Sequence, residues 1–270
     1  MLLLFIGSAL LYGAAVYAYG TERERDESDG DEGRGGIGRY ARLLLAAAAL
    51  LHFLAIGAQC LHGDHPLKNI FLATSFATWF AVVGYLPLSR GGRLDALGSV
   101  MAPIGLVGLA LGVVFSGVDP DPTLPMDSGV ASAHVGFASA GLAGFTLAAG
   151  VAGLYLVVER RLRNKIFKPG RKGMSLTGLD KLHHRLVLLV TPIFTLAIVT
   201  GVLWIVELGG PHQLSGRVFE IVAAAIAWIA SVSLLVARAT WGTRGRKAAQ
   251  LTLLSFAAII LIVISYGVRG

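Results

Sequence analysis

Eight stretches of this sequence are apolar for long enough to cross a lipid bilayer, and that settles the fold class before any other feature is weighed. A spanning helix needs about 20 mostly apolar residues. The qualifying windows fall at approximately 1–20, 40–62, 68–88, 95–117, 131–158, 184–208, 217–238 and 248–268. In hydrocarbon no water is present to satisfy peptide groups, so each such window has to become a helix. The expected fold is therefore all-α. It is a polytopic membrane helix bundle of about eight transmembrane helices, forming a single membrane domain over 1–270. The first window could be taken for a signal peptide, but no basic segment precedes its apolar run, and it is read as a span. Only 14% of the chain is charged, and the mean hydropathy is +0.70. Soluble domains carry about 25% charged residues, so most of this chain does not meet water.

The distribution of positive charge gives the expected orientation. Of the 23 basic residues, 20 fall in alternate connections, at 21–42, 90–93, 159–185 and 238–247. Only Lys68, Arg217 and Arg269 fall on the other side. Basic loops stay in the cytoplasm, which places both termini outside and suggests a bacterial inner (cytoplasmic) membrane. The net charge of +7 is thus a topology signal and does not point to nucleic acid. The segment 21–39, TERERDESDGDEGRGGIGR, is charged and Gly-rich without an apolar face, and reads as a flexible cytoplasmic linker. A single cysteine, Cys60, excludes a disulfide framework. No phosphate loop, G-x-S-x-G or H-E-x-x-H is present, so an energy-coupled transporter or a membrane protease has little support and no catalytic residue is expected.

Ionisable groups within a membrane are costly and usually functional, which directs attention to the seven histidines. His134 opens the fifth span on the outer side, and His52 lies near the middle of the second. Neutral imidazole ligates metals well, and a His facing an intramembrane cleft suits haem iron. His134 and His52 are the two candidate ligands. The alternative for His52 is a simple hydrogen bond to a neighbouring helix. His183 and His184 read as interfacial cations. His62 and His65, with Asp64, only loosely resemble an outer metal site, and His212 reads as a turn residue. Glu207 and Glu220 either line an outer vestibule or are solvated at helix ends.

Several patches, in collinear order from about residue 45 to the C-terminus, resemble the cytochrome c assembly protein family (CcsA/CcmC type), most closely its smaller HemX-type branch. HPLKNIFLATSFATW contributes Pro66, Asn69 and Trp79, and SVMAPIGLVGLAL contributes Pro103. SAHVGFASAGLAGF places His134 on the family's His-Val motif. LDKLHHRLVLLVTPIFTLAIVTGVLW ends in the expected Gly201 and Trp204. RATWGTRGRKAAQ resembles the family's cytoplasmic turn, and SYGV its closing motif. The resemblance implies haem as cofactor, held between helices near the outer face, with His134 as an axial ligand and His52 as a looser match. Trp79, Trp204 and Trp228 either flank the porphyrin or serve as packing and interfacial anchors.

Departures from the pattern narrow this expectation. The family's tryptophan-rich loop is missing, and RVFE (Arg217 to Glu220) stands where that loop ends. The family's intramembrane histidine falls on Val236, and its second outer histidine would fall beyond Gly270. The resemblance then implies a non-enzymatic, haem-handling role in cytochrome c assembly or in control of haem biosynthesis. Two other roles stay open. One is a scaffold whose basic loops dock a cytoplasmic tetrapyrrole-synthesis enzyme. The other is a haem permease without its own energy source, with the glycines of the fifth span allowing sliding. The expected partners are the lipid bilayer, haem, and either a cytochrome c assembly partner or that enzyme.

Overall fold

Each apolar window becomes one helix long and apolar enough to cross a membrane. The computed structural model describes residues 2–28, 34–63, 65, 67, 69–90, 92, 94–115, 128–165, 174–208 and 217–269. Among these the secondary structure is helical throughout. The elements are α1 (Leu2–Ser28), α2 (Arg34–Leu61), α3 (Ile70–Leu88), α4 (Asp95–Val114), α5 (Gly129–Arg163), α6 (Leu176–Glu207), α7 (Val218–Trp241) and α8 (Arg246–Arg269). The chain is thus a multi-pass, all-α membrane protein.

Polar residues at the window edges fix several helix starts. The Asn69 side chain accepts from Phe71 N at the head of α3 (2.7 Å). Ser128 accepts from Ala131 N at the head of α5 (3.0 Å), and Ser175 from Gly178 N at the head of α6 (3.1 Å). Each cap satisfies an amide that has no partner within its helix. Gly242, with φ of 65°, closes α7 in the left-handed region, where a Cβ would be strained.

Three helix ends differ clearly from the expectation. The stretch 21–39 is helical at both ends, since α1 continues to Ser28 and α2 opens at Arg34, while 29–33 lie outside the described residues. α6 begins at Leu176 rather than near 184. Its first two turns carry charge and therefore fall outside an apolar window, yet they are held by partners on other helices. Asp180 takes a bidentate contact from Arg238 (2.8 and 3.2 Å) and also accepts from the Gly245 amide (3.1 Å). His183 is buried, with Nε2 bonded to the Thr252 hydroxyl at 2.8 Å. It is therefore not an interfacial cation.

Two larger apolar cores run side by side, with a smaller cluster of Ala148, Val187, Leu234 and Ala248 nearer the basic end. One joins α1 to α4 with one face of α5 and the head of α6, and the other gathers α5 to α8 around Phe145, Phe194 and Ala227. α5 and α6 share the largest interface, and its closeness depends on glycine. Val190 packs where a Cβ at Gly144 would stand (2.5 Å), and Phe194 does the same at Gly141 (3.2 Å). Close packing of this kind accounts for Gly141 and Gly144 as small residues at a helix interface.

Paired contacts define the two ends of the bundle. At one end Asn69 donates to the Phe115 carbonyl, Ser128 to Glu207, and Arg217 to Tyr266. At the other, Arg42 bonds Asp95 and Asp180 bonds Arg238. This second end also carries the exposed cations Arg160, Arg163, Lys181, Arg185, Arg244, Arg246 and Lys247, and is called the basic end below.

Candidate ligand cavity at the His134 end

A cavity of about 420 Å³ opens between α3, α5, α6, α7 and α8, toward the end opposite the basic one. That size lies within the ordinary range of small-molecule sites, roughly 300–1,000 Å³. Its deeper wall is apolar, with Leu142, Phe194, Ile198 and Ile259. Its mouth carries Asn69, Arg217, Glu220 and Tyr266.

His134 stands on the α5 side of this cavity, two turns into the helix that Ser128 caps. Its Nδ1 lies 2.8 Å from the carbonyl oxygen of Ala197 on α6. A carbonyl only accepts, so Nδ1 of the neutral ring carries the proton and donates it there. The lone pair is then left on Nε2. A backbone bond on one nitrogen that orients the other is the usual support for a metal-ligating histidine. The ring packs against α6 at Gly201, the one residue type that leaves it room. A Cβ there would stand 2.9 Å from His134 Cε1 and 3.0 Å from Nδ1. Trp204 lies one turn further, its ring 5.8 Å from the imidazole. Its Nε1 is buried without a hydrogen-bond partner among the described residues. Trp228 of α7 also lines the cavity and donates from Nε1 to the Thr195 hydroxyl at 3.0 Å.

His134, Trp204 and Trp228 are thus brought to one cavity. His52 and Trp79 do not line it. His52 is fully buried among α1, α2 and α3, with Nδ1 bonded to the Tyr12 hydroxyl (3.2 Å) and Nε2 to the Ser75 hydroxyl (2.9 Å). Both ring nitrogens are engaged, so no lone pair is left to offer a metal. Trp79 donates to the Ala49 carbonyl at 2.9 Å and stacks on Phe53 and Phe76. At the other histidines, His62 bonds the Ala58 carbonyl, and His65 accepts from the Leu67 amide. Among the described residues no three His, Cys, Asp or Glu side chains gather as a metal cluster. Asp64 and His212 lie outside the described residues.

Glu207 is exposed, as a helix-end residue would be, whereas Glu220 is 7% exposed, lines the cavity and accepts from Ser265 Oγ (2.9 Å). Arg217 and Tyr266 were visible in the sequence only indirectly, as one of three basic residues away from the basic loops and as part of the closing SYGV. Val236, where the family pattern has a histidine, is 51% exposed and does not line the cavity.

Fold and cavity together define a multi-pass membrane protein with a largely apolar cavity between its helices, lined on one side by one well-oriented imidazole. The sequence model described as "Cytochrome C assembly protein" matches residues 43–269, and the chain belongs to that family. Its role accordingly lies in cytochrome c assembly and haem handling. No curated protein and no solved structure matches the chain. The match begins within α2, so α1 lies outside it, although α1 supplies Tyr12 to His52.

Proposed function

We propose that this protein binds haem in the His134 cavity, as a non-catalytic accessory of cytochrome c assembly with the character of the HemX-type branch. The observation that carries this reading is His134, which lines the cavity with Nδ1 committed to Ala197 and Nε2 left with its lone pair. The residues present fit the group. An apolar wall suits a porphyrin face, Trp204 and Trp228 supply flat aromatic surface, and Nε2 of His134 is a suitable iron donor. When bound, haem supplies the iron centre that the assembly pathway handles. His134 would hold it, Phe194 and Ile259 would exclude water, and Ala197 would keep the imidazole in its donor tautomer. His52, by contrast, is a packing and hydrogen-bonding residue in this reading. With the positive-inside rule, the basic end faces the cytoplasm of a bacterial inner membrane and the cavity opens on the far side.

Titrating the full chain in detergent with haemin tests the proposal. A Soret band shifted from that of haemin in the same detergent, saturating near one haemin per chain, is expected. A spectrum that stays that of free haemin sinks it.

Gly201→Ala probes the support of the imidazole. Alanine favours helix over glycine by about 1 kcal/mol, which offsets much of the cost of a lost hydrogen bond, so the apoprotein should melt within a few degrees of wild type. The new methyl nevertheless meets the His134 ring and moves it off the Ala197 carbonyl. Haemin affinity should fall about 10–100-fold, the usual effect of losing such a supporting contact. A loss of thermal stability that matches the loss of affinity would reduce Gly201 to a packing residue.

A further inference from the structure

We propose that Arg217 and Tyr266 form a carboxylate subsite at the cavity mouth, so that the ligand lies with its acid groups toward the His134 end and its apolar body inward. This deepens the porphyrin reading given above and rests on it. Arg217 is the one cation among the described residues lining the cavity. It occupies the cap position before α7, at the edge of the span rather than within it. Its Nη1 donates to the Tyr266 hydroxyl at 3.0 Å, which ties the head of α7 to the end of α8 and fixes the guanidinium at the rim. A guanidinium with a phenol beside it matches a carboxylate in both charge and donor geometry. Behind this rim the lining turns apolar, through Ala138, Leu142, Phe194 and Ile259. The polarity of the cavity is therefore that of an amphiphile with a flat apolar body and carboxylates along one edge.

Glu220 gives the proposal a sign that can be checked. It lies three residues after Arg217, on the same face of α7. It is 7% exposed and is held by Ser265. It is the acidic side chain among the described lining residues, so a ligand carboxylate has to share the Arg217 field with it. Neutralising Arg217 and neutralising Glu220 should therefore not act alike.

The probe is metal-free protoporphyrin IX, a dicarboxylate without iron, compared with its dimethyl ester. Both are titrated by porphyrin fluorescence into the full chain in detergent. The wild type should bind the diacid about tenfold or more tighter than the diester, the worth of one charge-assisted hydrogen bond. Arg217→Gln should weaken the diacid by about the same factor and leave the diester unchanged, with Arg217→Lys in between. Glu220→Gln should bind the diacid at least as tightly as the wild type. Diester binding by each variant reports an intact cavity. Equal binding of diacid and diester by the wild type overturns the subsite, as does weakening by Glu220→Gln. Because the probe lacks iron, these outcomes do not depend on His134. Failure of both porphyrins to bind would instead count against the cavity as a porphyrin site.

Discussion

Asp180→Ala is expected to cost about 1.5–3 kcal/mol of folding stability, because it removes one partner from a part-buried, hydrogen-bonded ion pair. Asp180 and Arg238 are only 14% and 12% exposed at the side chain, so water can do little to solvate what the substitution strands. Two groups lose their partner at once. The Arg238 guanidinium donates to both carboxylate oxygens, and the Gly245 amide donates to one of them. Gly245 belongs to the turn between α7 and α8, has φ of 68°, and lies so near Tyr155 of α5 that a Cβ would meet its hydroxyl at 2.8 Å. One carboxylate therefore fastens α6 to the α7–α8 hairpin and holds that hairpin's turn against α5. Thermal unfolding in detergent, followed by tryptophan fluorescence, should show a clearly lowered midpoint for Asp180→Ala. The exchange Asp180→Arg with Arg238→Asp should recover part of it. Haemin affinity of the folded fraction should not change, because the clamp is at the end away from the cavity. An unaltered midpoint would mean that the charges are solvated and the clamp is an ordinary surface pair.

The same clamp explains what could be read in the sequence and what could not. The number and order of helices were legible because hydrocarbon leaves the backbone no alternative. The start of α6 was not. DKLHHR carries too much charge for an apolar window, and the residues that accommodate it, Arg238 and Thr252, lie 58 and 69 positions away. A buried polar residue can be spotted in a sequence, whereas its partner on another helix cannot.

His52 and His134 make this point within the candidate site. Both are histidines inside apolar spans, and by depth alone both qualify as ligands. Their partners differ. Tyr12 and Ser75, 40 and 23 positions from His52, occupy both of its nitrogens, whereas Ala197 occupies only one nitrogen of His134. The tryptophans divide by whether they line the cavity. Trp79 spends its N–H on the Ala49 carbonyl, and Trp204 and Trp228 face the cavity. Glu220 was legible as an outer acid, but its burial and its bond to Ser265 of α8 were not.

His134→Ala is expected to remove the Soret shift and to lower haemin affinity by about 100-fold or more, since it deletes the proposed iron donor outright and not merely its support. The effect has to be separated from collapse of the cavity, and iron makes that possible. Metal-free protoporphyrin relies on the apolar wall and the mouth, which the substitution leaves in place, so its affinity should stay within about threefold of wild type, a shift below 1 kcal/mol. The alanine also leaves a space the size of the lost ring next to Gly201 and Trp204. Added imidazole should occupy it and restore the shifted Soret band in a concentration-dependent way. His52→Ala provides the contrast. It strands the Tyr12 and Ser75 hydroxyls in a dry interior, at a cost of about 1–3 kcal/mol in stability, and should leave the haemin spectrum as it is. If His52→Ala removed the shift and His134→Ala did not, the donor would have to be sought between α2 and α3. A loss of metal-free porphyrin in step with haemin would instead make His134 a packing residue, because a ligand to iron contributes nothing to the binding of a macrocycle that holds no iron.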